Sequence, residues 1–130
     1  MPWVEVFAAF VVCHLVGDYL LQTDWQALHK RGGLGSDPVS RRALVSHIVT
    51  YTLAFVPALI WLADDIGAWA IGVAAVVAIP HFIQDDGRLL AAYMLRVKHT
   101  DARANPSVAA AADQTFHILA LFLTALLAGS

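Results

Sequence analysis

Trp3–Gln22 reads WVEVFAAFVVCHLVGDYLLQ. A helix needs about 20 mostly apolar residues to cross the hydrocarbon core of a bilayer. This stretch is apolar nearly all round, unlike a surface helix with a single apolar stripe. Three further stretches share its character: Ala43–Ala63, Ile66 to about Asp85, and Ser107 to Ala128. The chain therefore reads as all-α: an integral membrane four-helix bundle in one domain over residues 1–130, with spans at about 3–22, 43–63, 66–85 and 107–128.

Composition agrees. Of the 130 residues, 59% are hydrophobic and only 14% are charged, whereas a soluble domain carries about 25% charged residues. The length leaves no room for a soluble module beside four spans. A net charge of −2 points to no nucleic-acid partner. The lone Cys13 excludes an intramolecular disulfide and reads as a small residue facing a neighbouring helix. Met1-Pro2-Trp3 lacks the basic start of a cleavable signal, so the first apolar segment is expected to stay in the mature protein.

The connections carry their own signals. Thr23-Asp24-Trp25-Gln26 fits a capping box opening a short interfacial helix to Lys30. Gly32-Gly33-Leu34-Gly35 breaks it, and Ser36-Asp37-Pro38 starts a new helix. Asp64-Asp65 is expected to join spans two and three as a tight hairpin. Asn105-Pro106 opens span four. All 8 Lys and Arg fall in or beside two connections: Lys30, Arg31, Arg41 and Arg42 in one, Arg88, Arg96, Lys98 and Arg103 in the other. Basic residues stay cytoplasmic, which implies a multi-pass protein of the inner (cytoplasmic) membrane with both termini outside. Trp3, Trp61 and Trp69 then mark the outer interface and Trp25 the inner one.

That orientation gathers the remaining ionisable groups. His14 and Asp18 lie late in span one, His47 early in span two, His81 and Asp85 at the end of span three, Asp113 and His117 early in span four. All fall toward the cytoplasmic side. His14/Asp18, His81/Asp85 and Asp113/His117 are i, i+4 pairs, one turn apart on one helix face. Gly17 would let helices approach closely. A charge near the bilayer centre costs about 2.5–3.5 kcal/mol. No Lys or Arg lies deep in a span to offset Asp18, Asp85 and Asp113; Arg88 is the nearest candidate.

Three accounts are open. Four imidazoles and three carboxylates suit one or two divalent ions such as Zn, Mn or Fe, as in carboxylate-rich helix bundles. His–Asp pairs could instead tie the helices together without metal. Acidic and His chains also form proton or ion paths in transporters. Other groups read more plainly. His29 and His99 are solvated loop residues. Asp86 reads as a headgroup-level charge, although it could be a second ligand. Pro57 and Pro80 are potential kinks.

The blocks His14-Leu15-Val16-Gly17-Asp18-Tyr19-Leu20-Leu21-Gln22, Ser46-His47, His81-Phe82-Ile83-Gln84-Asp85 and Asp113-Gln114-Thr115-Phe116-His117 resemble, in order and over nearly the whole chain, the bacterial and phage membrane proteins grouped as domain of unknown function 3307. Span three departs slightly, with Gln84 and the doubled acid Asp85-Asp86, which leaves open which acid faces the centre. The resemblance implies a four-helix membrane fold with a shared polar centre and no settled activity. The pattern also looks somewhat like membrane-bound metal-dependent hydrolases.

The leading expectation is a metal-dependent hydrolase acting on a lipid or lipid-linked phosphoester at the inner leaflet. His14, Asp18, His47, His81, Asp85, Asp113 and His117 would be metal ligands or their partners. Asp85 or Asp113 would accept a proton. Gln22, Gln84 and Gln114 would orient ligands or substrate, and Arg88 would meet the anionic group. The partners expected are membrane lipid and a second copy of the chain. The alternatives are a transporter or channel for a cation, proton or small polar solute, and a non-catalytic membrane interaction module.

Overall fold

A computed structural model describes residues 1–130. The chain is all-α and contains no strand. Helix α1 (Trp3–Leu15) continues into a π-helical turn, Val16–Leu20. Then come α2 (Asp24–His29), α3 (Pro38–Ile66), α4 (Trp69–Asp85), α5 (Arg88–Arg96) and α6 (Pro106–Ala128). Helix α1 lies against α3 and α6, and α4 against the same two. The four long helices thus form a closed cycle of neighbours, with α2 resting on α3 and α5 bridging α4 and α6.

Three of these elements are long and apolar enough to cross a membrane: Trp3–Leu20, Pro38–Ile66 and Pro106–Ala128. Helix α4 is shorter, at 17 residues. At 1.5 Å per residue it spans about 25 Å, near the lower limit for crossing.

Local chemistry explains the boundaries. Thr23 and Gln26 form the capping box reciprocally, at 3.1 and 3.0 Å. Asp37 caps α3 by accepting from the Ser40 amide at 3.0 Å, with Pro38 opening the helix. Helix α3 does not stop at Asp64-Asp65 as expected. Both acids lie in its last turn, and it ends at Gly67, whose φ of 59° is open to glycine and strained for other residues. Helix α5 was not foreseen. Its nine residues are too few for a span, and its Arg and Leu content reads as a basic loop unless the Asp86-Gly87 turn is placed first.

Packing divides the molecule in two. Val6, Phe10, Tyr51, Phe55, Ala58, Leu62, Val77, Leu121 and Ala125 form one apolar core, with Cys13 packed against it. Beside that core the buried residues turn polar: His14, Asp18, His47, His81, Asp85 and His117. Meanwhile Leu20, Ile71 and Leu127 are at least three-quarters exposed. Buried acids beneath an apolar exterior suit lipid as the surrounding solvent.

Candidate metal centre

The polar residues converge because three helices deliver His/Asp pairs, and α3 delivers His47, to one level of the bundle. The π-helical turn is the least regular element. The Leu21 amide donates to the Val16 carbonyl, five residues back, at 3.0 Å. At Gly17 a Cβ would meet Tyr51 Cδ2 at 2.7 Å, so glycine lets the chain approach α3 this closely. The turn aims Asp18 away from its own-helix partner. His14 Nδ1 stands 3.8 Å from Asp18 Oδ2, whereas Asp18 Oδ1 lies 3.2 Å from Nε2 of both His47 and His81.

Four potential ligand atoms meet at this point. His47 Nε2 and His81 Nε2 are 3.2 Å apart. Asp85 Oδ2 lies 2.9 Å from the first and 3.0 Å from the second. The edge of a tetrahedron of ligands about 2.0 Å from a central ion is about 3.3 Å. The separations among Asp18, His47, His81 and Asp85 match that spacing, and all four residues are buried. The donor set, two imidazoles and two carboxylates, suits zinc or another first-row divalent ion.

A second group shares Asp85. Its other oxygen, Oδ1, lies 3.1 Å from His117 Nε2, which stands 3.4 Å from Asp113 Oδ2. Gln84 fixes the imidazole. Its amide nitrogen donates to the Phe116 carbonyl at 3.3 Å, which leaves Oε1 to accept from His117 Nδ1 at 2.7 Å. A neutral His117 then presents a bare Nε2 lone pair to two carboxylates. That arrangement is repulsive unless a cation or a proton lies between them. The buried His/Asp groups could therefore hold a metal ion, with Asp85 common to both.

His14 stands apart from both groups. Gln114 Nε2 faces Asp18 Oδ2 at 3.5 Å, so its Oε1 accepts from His14 Nε2 at 2.8 Å. The Tyr51 hydroxyl is then left to donate to His14 Nδ1 at 3.0 Å. Both ring nitrogens are occupied, and His14 acts on Asp18 through Gln114. Tyr51 also stacks on His81, with centroids 3.6 Å apart and planes within 4°.

Two residues depart from the sequence expectation. Lys30, assigned to a connection, reaches back to place Nζ 2.9 Å from Asp85 Oδ2. It is the cation that the three acids lacked. That shortage of cations within the spans was the only signal in the sequence, and it could not say which connection folds inward. Asp86 is not an exposed charge. It is buried, with Oδ1 accepting from the Leu34 amide at 2.9 Å and Oδ2 3.3 Å from Arg88 Nε. It pins the Gly32–Gly35 loop beneath α4, and the same contact holds Lys30 inward.

A cavity of about 270 Å³ opens onto the centre. Asp18, Asp85, Asp113, Gln22, Gln84 and Gln114 line it, with Lys30 and Arg31 at one side. Gln22 otherwise donates only to the Asp18 carbonyl of its own helix, at 3.3 Å. Arg88 does not line this cavity but borders the adjoining one. The sequence model of the family described as Protein of unknown function (DUF3307) matches residues 6–129. No curated protein and no solved structure matches the chain.

Proposed function

The chain belongs to the DUF3307 family, whose description names no activity, and from the buried centre we propose a metal-dependent hydrolase acting on a lipid or lipid-linked phosphoester. In this reading the four long helices form a membrane-spanning bundle with both termini outside. The centre then lies toward the cytoplasmic leaflet of the inner membrane.

One observation carries the proposal: Asp85 offers one oxygen to each of two ligand groups drawn from four different segments. A shared carboxylate is what a paired-metal site needs. Asp18, His47, His81 and Asp85 would hold one ion, and Asp85, Asp113 and His117 a second. Bound zinc, manganese or iron would polarise a phosphoryl oxygen and lower the pKa of a water toward neutrality. The chain's own residues supply the rest. Asp113 is the less buried acid and lines the cavity, so where only the first group holds an ion it is placed to accept a proton. Gln22 and Gln114 point polar atoms along the cavity wall. Lys30 and Arg31 meet the anionic group.

Transport is less well supported. A polar path would have to continue through Phe10, Phe55 and Leu62, which are fully buried among apolar neighbours. A purely structural role draws on the Lys30–Asp85 pair, which neutralises one acid without metal. Elemental analysis of protein purified without chelators separates these accounts. The hydrolase is expected to carry one or two divalent ions per chain, to lose them in Asp85→Asn, and to release phosphate or a headgroup from lipid phosphoesters. Metal-free protein whose melting temperature ignores added divalent ions would end the proposal.

A further inference from the structure

The centre's cavity does not stand alone. A second and larger one, of about 540 Å³, adjoins it and shares Arg31, Gly87 and Ala110 in its wall. It lies between α5 and the start of α6, and three arginines, Arg31, Arg88 and Arg103, are among its lining residues. Of its two acids, Asp86 is taken by Arg88 and the Leu34 amide, and Asp101 accepts from the Arg103 backbone amide at 2.7 Å. The Arg31 and Arg103 side chains have no carboxylate within ion-pair distance. Cationic side chains therefore outnumber acids, and two are uncommitted. Planar guanidiniums suit phosphate oxygens bidentately.

Part of the wall is apolar. Leu95 lines the cavity and is also 57% exposed, so the apolar surface runs from inside the cavity to the outside of α5. Arg88, Ala91 and Leu95, at i, i+3 and i+7 on one face of α5, set a cation and an apolar surface side by side.

We propose that this cavity binds the phosphate of an anionic lipid, held by Arg31, Arg88 and Arg103, with an acyl chain lying over Leu95. Only the further claim that this lipid is the substrate rests on the hydrolase reading. The shared Arg31 would then hold the headgroup beside Asp113, at the mouth of the centre.

The test uses the full chain in an uncharged detergent. Short-chain phosphatidate, phosphatidylcholine of the same chain length, and inorganic phosphate are titrated by calorimetry. Metal content and melting temperature are recorded in parallel. Phosphatidate is expected to bind at least tenfold more tightly than either other probe. Arg31→Gln with Arg103→Gln should weaken it tenfold or more, while Arg42→Gln, outside the cavity, should not. Equal binding of phosphatidate and phosphatidylcholine would overturn the proposal, as would indifference to the double substitution in folded protein. Inorganic phosphate binding as tightly as phosphatidate would overturn the lipid assignment. Arginine-dependent phosphatidate binding by a metal-free protein would uphold this site and sink the hydrolase. Metal-loaded protein indifferent to the arginines would do the reverse.

Discussion

Asp85 has more ion-pair partners than any other residue in the centre. Lys30, His47 and His81 approach one of its oxygens and His117 the other. The Lys30 ammonium is the one fixed positive charge among three acids. Breaking a buried ion pair by removing one partner costs about 3–5 kcal/mol. Lys30→Gln should therefore lower the melting temperature of chelator-treated protein, and added divalent metal should restore it by supplying the missing charge. A thermal melt with and without metal checks this; an unchanged melt would show that Lys30 neutralises nothing. Gln84 acts one step further out, by fixing which nitrogen of His117 faces the acids. Losing such a partner typically weakens metal affinity about 10–100-fold. Gln84→Leu should show that loss in a competition titration while leaving helix content intact by circular dichroism.

Among the elements, the π-helical turn Val16–Leu20 does what no regular helix would. It leaves His14 to Tyr51 and Gln114, and it hands Asp18 to His47 and His81 across the helix interface. Gly17, within the turn, lies against Tyr51. Overpacking at such a contact costs about 1–3 kcal/mol. Gly17→Ala should lower the melting temperature and weaken metal binding together, whereas Gly72→Ala, where an added Cβ meets nothing, should do neither. The start of α3 is sensitive to pH. The Ser40 hydroxyl and amide hold the Asp37 carboxyl below the usual carboxylate range. A depressed folded-state pKa contributes stability that is present above the unfolded value and lost as pH falls through the folded one. Amide protection factors in the first turn of α3, corrected for the intrinsic pH dependence of exchange, should fall in acid, and Asp37→Asn should remove most of that dependence.

For the whole molecule, the distribution of polarity is turned inside out. Imidazoles and carboxylates are buried while valines, leucines and isoleucines face outward. Phe10, Phe55 and Leu62 are fully buried in the apolar core, which meets the polar centre at Tyr51. The basic residues at the polar end set the expected orientation. In a Cys13→Ala background, a cysteine at Ser36 should react with an impermeant thiol reagent only from the cytoplasmic face. A cysteine at Ser130 should react only from the outside. Both reacting from one face would refute the topology.

Much of this was written in the amino-acid order. Apolar runs near 20 residues decide helix type on their own, because backbone groups in lipid must be satisfied within the segment. The capping box at Thr23 and the Asp37-Pro38 start were equally legible, since each depends on residues three or four apart. The i, i+4 pairs announced a polar layer for the same reason. Tertiary structure decided the rest. It placed Asp85 rather than Asp86 between the two His/Asp groups, set His14 against Tyr51 and Gln114, and folded Lys30 inward. Those outcomes depend on contacts between residues far apart in the chain, on one π-helical turn and on a loop pinned by Asp86. Local periodicity says which face a side chain occupies; only the packing of helices says what stands opposite it.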